Sequence, residues 1–94
     1  MPPDEIKKVI RAGFPDFRKC YEAGLKKNLK LAGTVKVRFI IRTDGTTDTV
    51  TDVGSTIGDA AVVSCVLAKY RSLKFPTPEG GAVLVTYPID FASD

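Results

Sequence analysis

Histidine is absent from the 94 residues, and with it the commonest general base, proton shuttle and metal ligand. Two cysteines without a histidine cannot complete a usual four-ligand zinc site within one chain. Asp44, Asp48 and Asp52 recur every four residues, but on a turn and a strand, and without the spacing of a calcium loop. P-loop, GxGxxG and GxSxG patterns are missing. Gly54-Ser55-Thr56-Ile57-Gly58 offers amides to an anion, although a turn followed by a helix cap accounts for it more simply. The sequence thus assigns no catalytic residue, metal or cofactor, and an enzyme is not expected. No stretch approaches the ~18 apolar residues of a membrane span, and no charged-then-apolar signal segment opens the chain. Export or anchoring signals, if the parent protein has them, are expected elsewhere in it.

The residues present are those of a folded chain. Hydrophobic residues make up 44% and charged ones 27%, enough for one modest core and too little chain for a second. Residues 1–94 are expected to form one domain, with its core over about 4–92. Charge is uneven: residues 1–42 hold eleven Lys/Arg against four acids, net +7, and residues 43–94 hold three against seven, net −4, which sum to the chain's +3. Such asymmetry can mark an anionic partner. A solvated helix and strand that carry most of the lysines explain it more simply.

Pro2-Pro3-Asp4-Glu5 reads as a helix start, with acids where the helix dipole favours them. Ile6, Val9, Ile10, Phe14, Phe17, Cys20, Tyr21 and Leu25 then recur at three and four. Gly13-Phe14-Pro15 interrupts this stripe, which predicts a kink or two short helices with Pro15 in the first turn of the second. Lys26-Lys27-Asn28 is expected to close it, with cations in the last turn. From Gly33 to Arg42 the period becomes two, with Val35, Val37, Phe39 and Ile41 on one face and Lys36, Arg38 and Arg42 on the other. Thr43-Asp44-Gly45 signals a hairpin turn. A Thr-rich second strand over Thr46–Val53 alternates weakly, which predicts a bulge or an irregular end. Ser55-Thr56 is expected to open the next helix, with Thr56 and Asp59 at capping-box spacing. Val62, Cys65, Val66, Lys69, Tyr70 and Leu73 form its stripe, and Phe75-Pro76-Thr77-Pro78 stops it. Ala82–Phe91 is the last strand. The fold class is therefore α+β: an α-β-β-α-β chain with a three-stranded antiparallel sheet in the order 2-1-3, covered on one face by helices.

Pro88 carries the mechanistic reading. Proline has no backbone donor and is confined to edge strands within sheets. If residue 88 cannot donate to the first strand, residues 82, 84, 86, 88 and 90 aim their backbone groups at a free edge. Ala82, Val83, Leu84, Val85 and Thr86 are then the candidate partner-binding segment, open to an extended peptide. Lys36 and Arg38 add a basic surface beside it. The alternative is that Pro88 only blunts aggregation. Nucleic acid is not the expected partner, because the aromatics fall on inward stripes whereas sheet-type RNA readers stack bases on exposed ones. Cys20 and Cys65 lie on core-facing helical stripes. They are either two buried thiols or a disulfide between the helices, which would contribute about 4 kcal/mol in the chain-entropy model and imply an oxidising compartment.

Cys20-Tyr21-Glu22 with Leu25, Leu31-Ala32-Gly33-Thr34-Val35, Asp44-Gly45, Gly54-Ser55-Thr56, Cys65-Val66, Phe75-Pro76-Thr77-Pro78-Glu79-Gly80-Gly81 and Tyr87-Pro88-Ile89-Asp90-Phe91 form an ordered set. Over about residues 6–91 it resembles the C-terminal domain of TonB-type energy transducers, in the variant of myxobacterial gliding-motility proteins (the AgmX/PglI type). Lys30 stands where that pattern has proline, and Tyr70 to Leu73 lacks its tryptophan. The resemblance implies a periplasmic domain at the C-terminal part of an inner-membrane-anchored protein. It also implies coupling to a proton-driven motor complex and binding of an envelope protein that offers an extended peptide. The peptide-accepting role falls by position on Ala82–Thr86, and the family's cysteines map onto Cys20 and Cys65, in support of the disulfide. A structural or self-associating envelope domain, a homodimer through the same edge, is the other expectation.

Overall fold

The computed structural model describes residues 3–92. Two short helices, α1 (Pro3–Ala12) and α2 (Phe14–Leu25), open the chain. They break at Gly13, and Pro15 occupies the first turn of α2, where its missing N–H costs nothing. Pro2 lies outside the described residues. Lys26 is the C-cap of α2 rather than part of its last turn, so the lysines fall at and beyond the helix end.

Strands β1 (Gly33–Ile41), β2 (Thr47–Asp52) and β3 (Val83–Phe91) form an antiparallel sheet in the order β2-β1-β3. The hairpin between β1 and β2 turns at Gly45, whose φ is +86°. A Cβ there would lie 2.1 Å from the Phe75 carbonyl oxygen, so both backbone sign and space require glycine. The expected irregularity is a bulge: the β1–β2 register shifts between Arg38 and Ile40, opposite Thr49 and Val50. Thr49 takes a φ of 51°, and the extra residue turns Val50 inward.

Helix α3 (Ala60–Arg71) starts later than the sequence suggests. Its N-cap is Asp59, whose carboxylate accepts from the amides of Ala61 and Val62. Thr56 does not cap it. The Thr56 hydroxyl accepts from the Thr34 amide, the Thr56 amide donates to the Thr34 carbonyl, and Ser55 Oγ accepts from the Lys36 amide. These two residues prolong the β2 margin along β1, so their polar groups are engaged before the helix begins.

Val35, Val37, Phe39 and Ile41 of β1 are fully buried beneath α2 and α3 with Phe17, Val62, Val66 and Tyr70. Phe17 stacks on Tyr70 at 4.9 Å between ring centroids, and Phe39 packs against both Tyr70 and Phe75. A disulfide joins Cys20 of α2 to Cys65 of α3. Cys20 is buried, and Cys65 is half-buried at the seam between the helices. α2 and α3 also approach closely at Gly24, where a Cβ would lie 2.6 Å from Val62 Cγ2. The Tyr21 hydroxyl donates to the Leu31 carbonyl and pins the α2–β1 connection.

Candidate functional site

The backbone bonds of β1 define which way every strand residue faces. Lys36 accepts from Val53 and donates to Ser55, Thr34 exchanges bonds with Thr56, and Arg42 donates to Thr46. The even residues of β1 therefore turn their backbone groups toward β2, and the odd ones toward β3. β3 pairs with β1 without interruption, from Gly33 opposite Phe91 to Ile41 opposite Val83. Val83, Val85, Tyr87, Ile89 and Phe91 thus bond to β1. Leu84, Thr86, Pro88 and Asp90 aim their backbone groups away from it, and among the described residues no strand pairs with that side. Pro88 sits opposite Lys36 in a pair that needs no donor from it.

The residues singled out from the sequence divide among four positions. Leu84 and Thr86 carry outward backbone groups, and the Leu84 side chain is 64% exposed. Val83 and Val85 point their side chains toward the helices and are half-buried. Ala82 is exposed but precedes the strand, which begins at Val83, because Gly80 and Gly81 still turn the chain there with positive φ. Lys36 and Arg38 are exposed on the open face of β1, one strand in from the margin, opposite Pro88 and Thr86. The structure brings these last four residues together on one face.

A feature not anticipated from the sequence lies behind this edge. Phe14, Phe17, Arg18 and Tyr21 of α2 overhang Tyr87, Ile89 and Phe91 of β3 and enclose a groove of about 600 Å³. Tyr21 stacks on Phe91 at 4.8 Å. The inward row of β3 is only half-buried except at Ile89, while that of β1 is wholly buried. Two core-covering helices cannot blanket three strands, and the outermost is left partly bare. A count of helices against strands was the available signal.

Charge around the sheet is held by local bonds. Arg42 pairs with Asp48 at 3.5 Å. Asp44 accepts from the Thr46 hydroxyl and amide, which hold its carboxyl below the ordinary value. Asp52 accepts from the Ser55 hydroxyl and amide and the Gly54 amide, with the same effect. These contacts engage all three aspartates spaced by four, and no cluster of three metal-ligating side chains occurs among the described residues. Burial pushes the Tyr70 phenol well up, with a smaller contribution from Tyr87, and the Tyr70 hydroxyl has no hydrogen-bond partner among the described residues. No helix is long and apolar enough to cross a membrane among the described residues.

These features define an α+β module with one bare sheet edge. The C-terminal domain of Helicobacter pylori TonB, solved in solution by NMR, shares this architecture: TM-score 0.56, 20% identity, 86% of this chain and 80% of that one covered. The chain therefore has the fold of a TonB C-terminal domain. No family model matches the sequence, and no curated protein does so.

Proposed function

We propose that this chain is a non-enzymatic, periplasmic protein-binding domain of a TonB-like energy transducer, and that it captures an extended segment of an envelope partner on the outer edge of β3. The parent protein would be anchored in the inner membrane and driven by a motor complex there. The myxobacterial gliding-motility pattern in the sequence points to motility as the process served. The observation that carries the reading is the row of outward backbone groups at Leu84 and Thr86, on a strand whose other side is fully paired. An added strand would satisfy that row. Among the described residues the open face of β1 and β3 presents Lys36, Arg38, Leu84, Thr86 and Asp90 and no aromatic ring, which supports a peptide over a nucleic acid.

Amide exchange at Leu84 and Thr86 should slow when a partner peptide is added. Protection confined to α1 would overturn the reading. The exposed Leu84 beside these groups also favours a second reading, in which two copies pair edge to edge. A molecular mass that rises with concentration, together with Leu84 and Thr86 protection in the absence of peptide, would select it.

A further inference from the structure

The geometry of this edge also points to what the captured strand must look like; this rests on the edge-pairing reading above. We infer that the partner is an amphipathic extended peptide, apolar on the side facing α2 and acidic on the side facing the open sheet, and that the groove and Lys36/Arg38 select it.

Residues of an added antiparallel strand that lie opposite Val85, Tyr87 and Ile89 direct their side chains to the same face as those residues. On that face stands the groove of about 600 Å³, roomy enough for an aromatic side chain. Its walls are already aromatic: Phe14, 40% exposed, and Tyr21, stacked on Phe91. A large apolar side chain seated there would complete the cover that the half-buried Tyr87 and Phe91 lack, and that burial is favourable.

Residues opposite Thr86 and Pro88 instead face the open side. Strands lie ~4.8 Å apart, so an added strand runs roughly 9.5 Å from β1. The only side chains between are those of Thr86 and Pro88, both short, directly in register with Arg38 and Lys36. The long cationic side chains can lie across them and meet a carboxylate on the next strand. Both cations are exposed, and the ion pair found among the described residues involves Arg42 instead. Asp90 confines the acidic preference to this stretch: it sits on the same face two residues further on, where it accepts from the Thr34 hydroxyl. A carboxylate opposite it would be repelled.

The test uses three synthetic peptides on the isotopically labelled chain, followed by NMR titration: acetyl-Thr-Thr-Val-Glu-Phe-Glu-Val-Thr-amide, which leaves the position opposite Asp90 uncharged, its Lys-for-Glu counterpart, and its Ser-for-Phe counterpart. The first should shift the amides of residues 83–87 and the Cα of Pro88, with affinity about ten-fold above each of the others. K36E/R38E, two exposed changes, should invert the preference between the Glu and Lys peptides. Phe14→Ala should weaken the Phe peptide and leave the Ser peptide unchanged. If all three peptides shift residues 83–88 alike, the selectivity is overturned while edge pairing stands. If none shifts them, both are overturned.

Discussion

The β2 margin of the sheet is six residues long, bulged at Thr49–Val50, and extended by Ser55 and Thr56, whose hydroxyls, with the Thr56 amide, close off β1. The β3 margin is nine residues long and in unbroken register with its neighbour, with only Pro88 to interrupt its outward bonds. Bulges, acids and short strands protect edges from unwanted pairing, whereas long regular apolar edges invite it. One margin of this sheet is short and bulged, and the other is long and regular, with Pro88 and Asp90 as its protective residues. The core shows the same asymmetry: Val50 of β2 and Val35, Val37, Phe39 and Ile41 of β1 are buried, and β3 keeps a half-bare inward row. Rigidity on one side thus supports availability on the other.

The largest effect should come from the closed side. Replacing Cys20 and Cys65 together by serine is expected to lower the unfolding free energy by about 4 kcal/mol in the chain-entropy model, read by urea denaturation with and without reductant. Next comes a pair of prolines one residue apart. Val85→Pro removes a bond to β1 and should cost roughly 3 kcal/mol. Thr86→Pro removes only an outward donor and should cost less than about 1 kcal/mol, yet abolish protection of the edge by added peptide. Equal destabilisation of the two variants would break the inward–outward distinction on which the comparison rests. Pro88→Ala restores an outward donor, and should strengthen peptide binding or self-association by roughly 1 kcal/mol, or about five-fold, measurable by titration and by sedimentation. Tyr70→Phe removes a buried hydroxyl without a partner among the described residues and should be neutral or stabilising by up to about 1 kcal/mol. The smallest effect is acidic. Hydrogen bonds hold Asp52 below the ordinary value of 3.8 in the folded chain. Its stabilisation is therefore complete above that value and fades as pH falls through the lower folded one. Asp52→Asn should flatten this part of the acid denaturation curve, and amides near Ser55 should be the first to lose protection in the parent.

Much of this asymmetry was legible before any coordinates. Val35–Ile41 and Val83–Phe91 alternate because each strand has one buried and one wet face, so period and layer were readable together. Pro15 placed the break between α1 and α2, and the three apolar stripes led to the 2-1-3 order. Pro88 marked β3 as an edge, since a missing donor has few permitted places in a sheet. The start of α3 was not readable: the Ser55 and Thr56 hydroxyls suit a helix cap as well as a strand margin, and only the nearness of β1 decides between them. Ala82 looked like strand by alternation, but the Gly80-Gly81 turn reaches far enough to leave it outside. A count of helices against strands hints at a bare strand, but the groove itself was missed for a different reason. It depends on where α2 lies relative to β3, a matter of helix placement over the sheet that no stripe records.

The Cys20–Cys65 bond has a mechanical consequence. A tension applied between α1 and β3 need not travel along the chain through β1 and β2. It can cross from α2 to α3 through the sulfurs, which leaves residues 21–64 as a covalent side loop outside the load path. Stretched out, that segment would add about 150 Å of slack. The bond keeps this length locked, so that a pull on one end reaches the bare edge of β3 as displacement instead of unravelling the sheet that holds it.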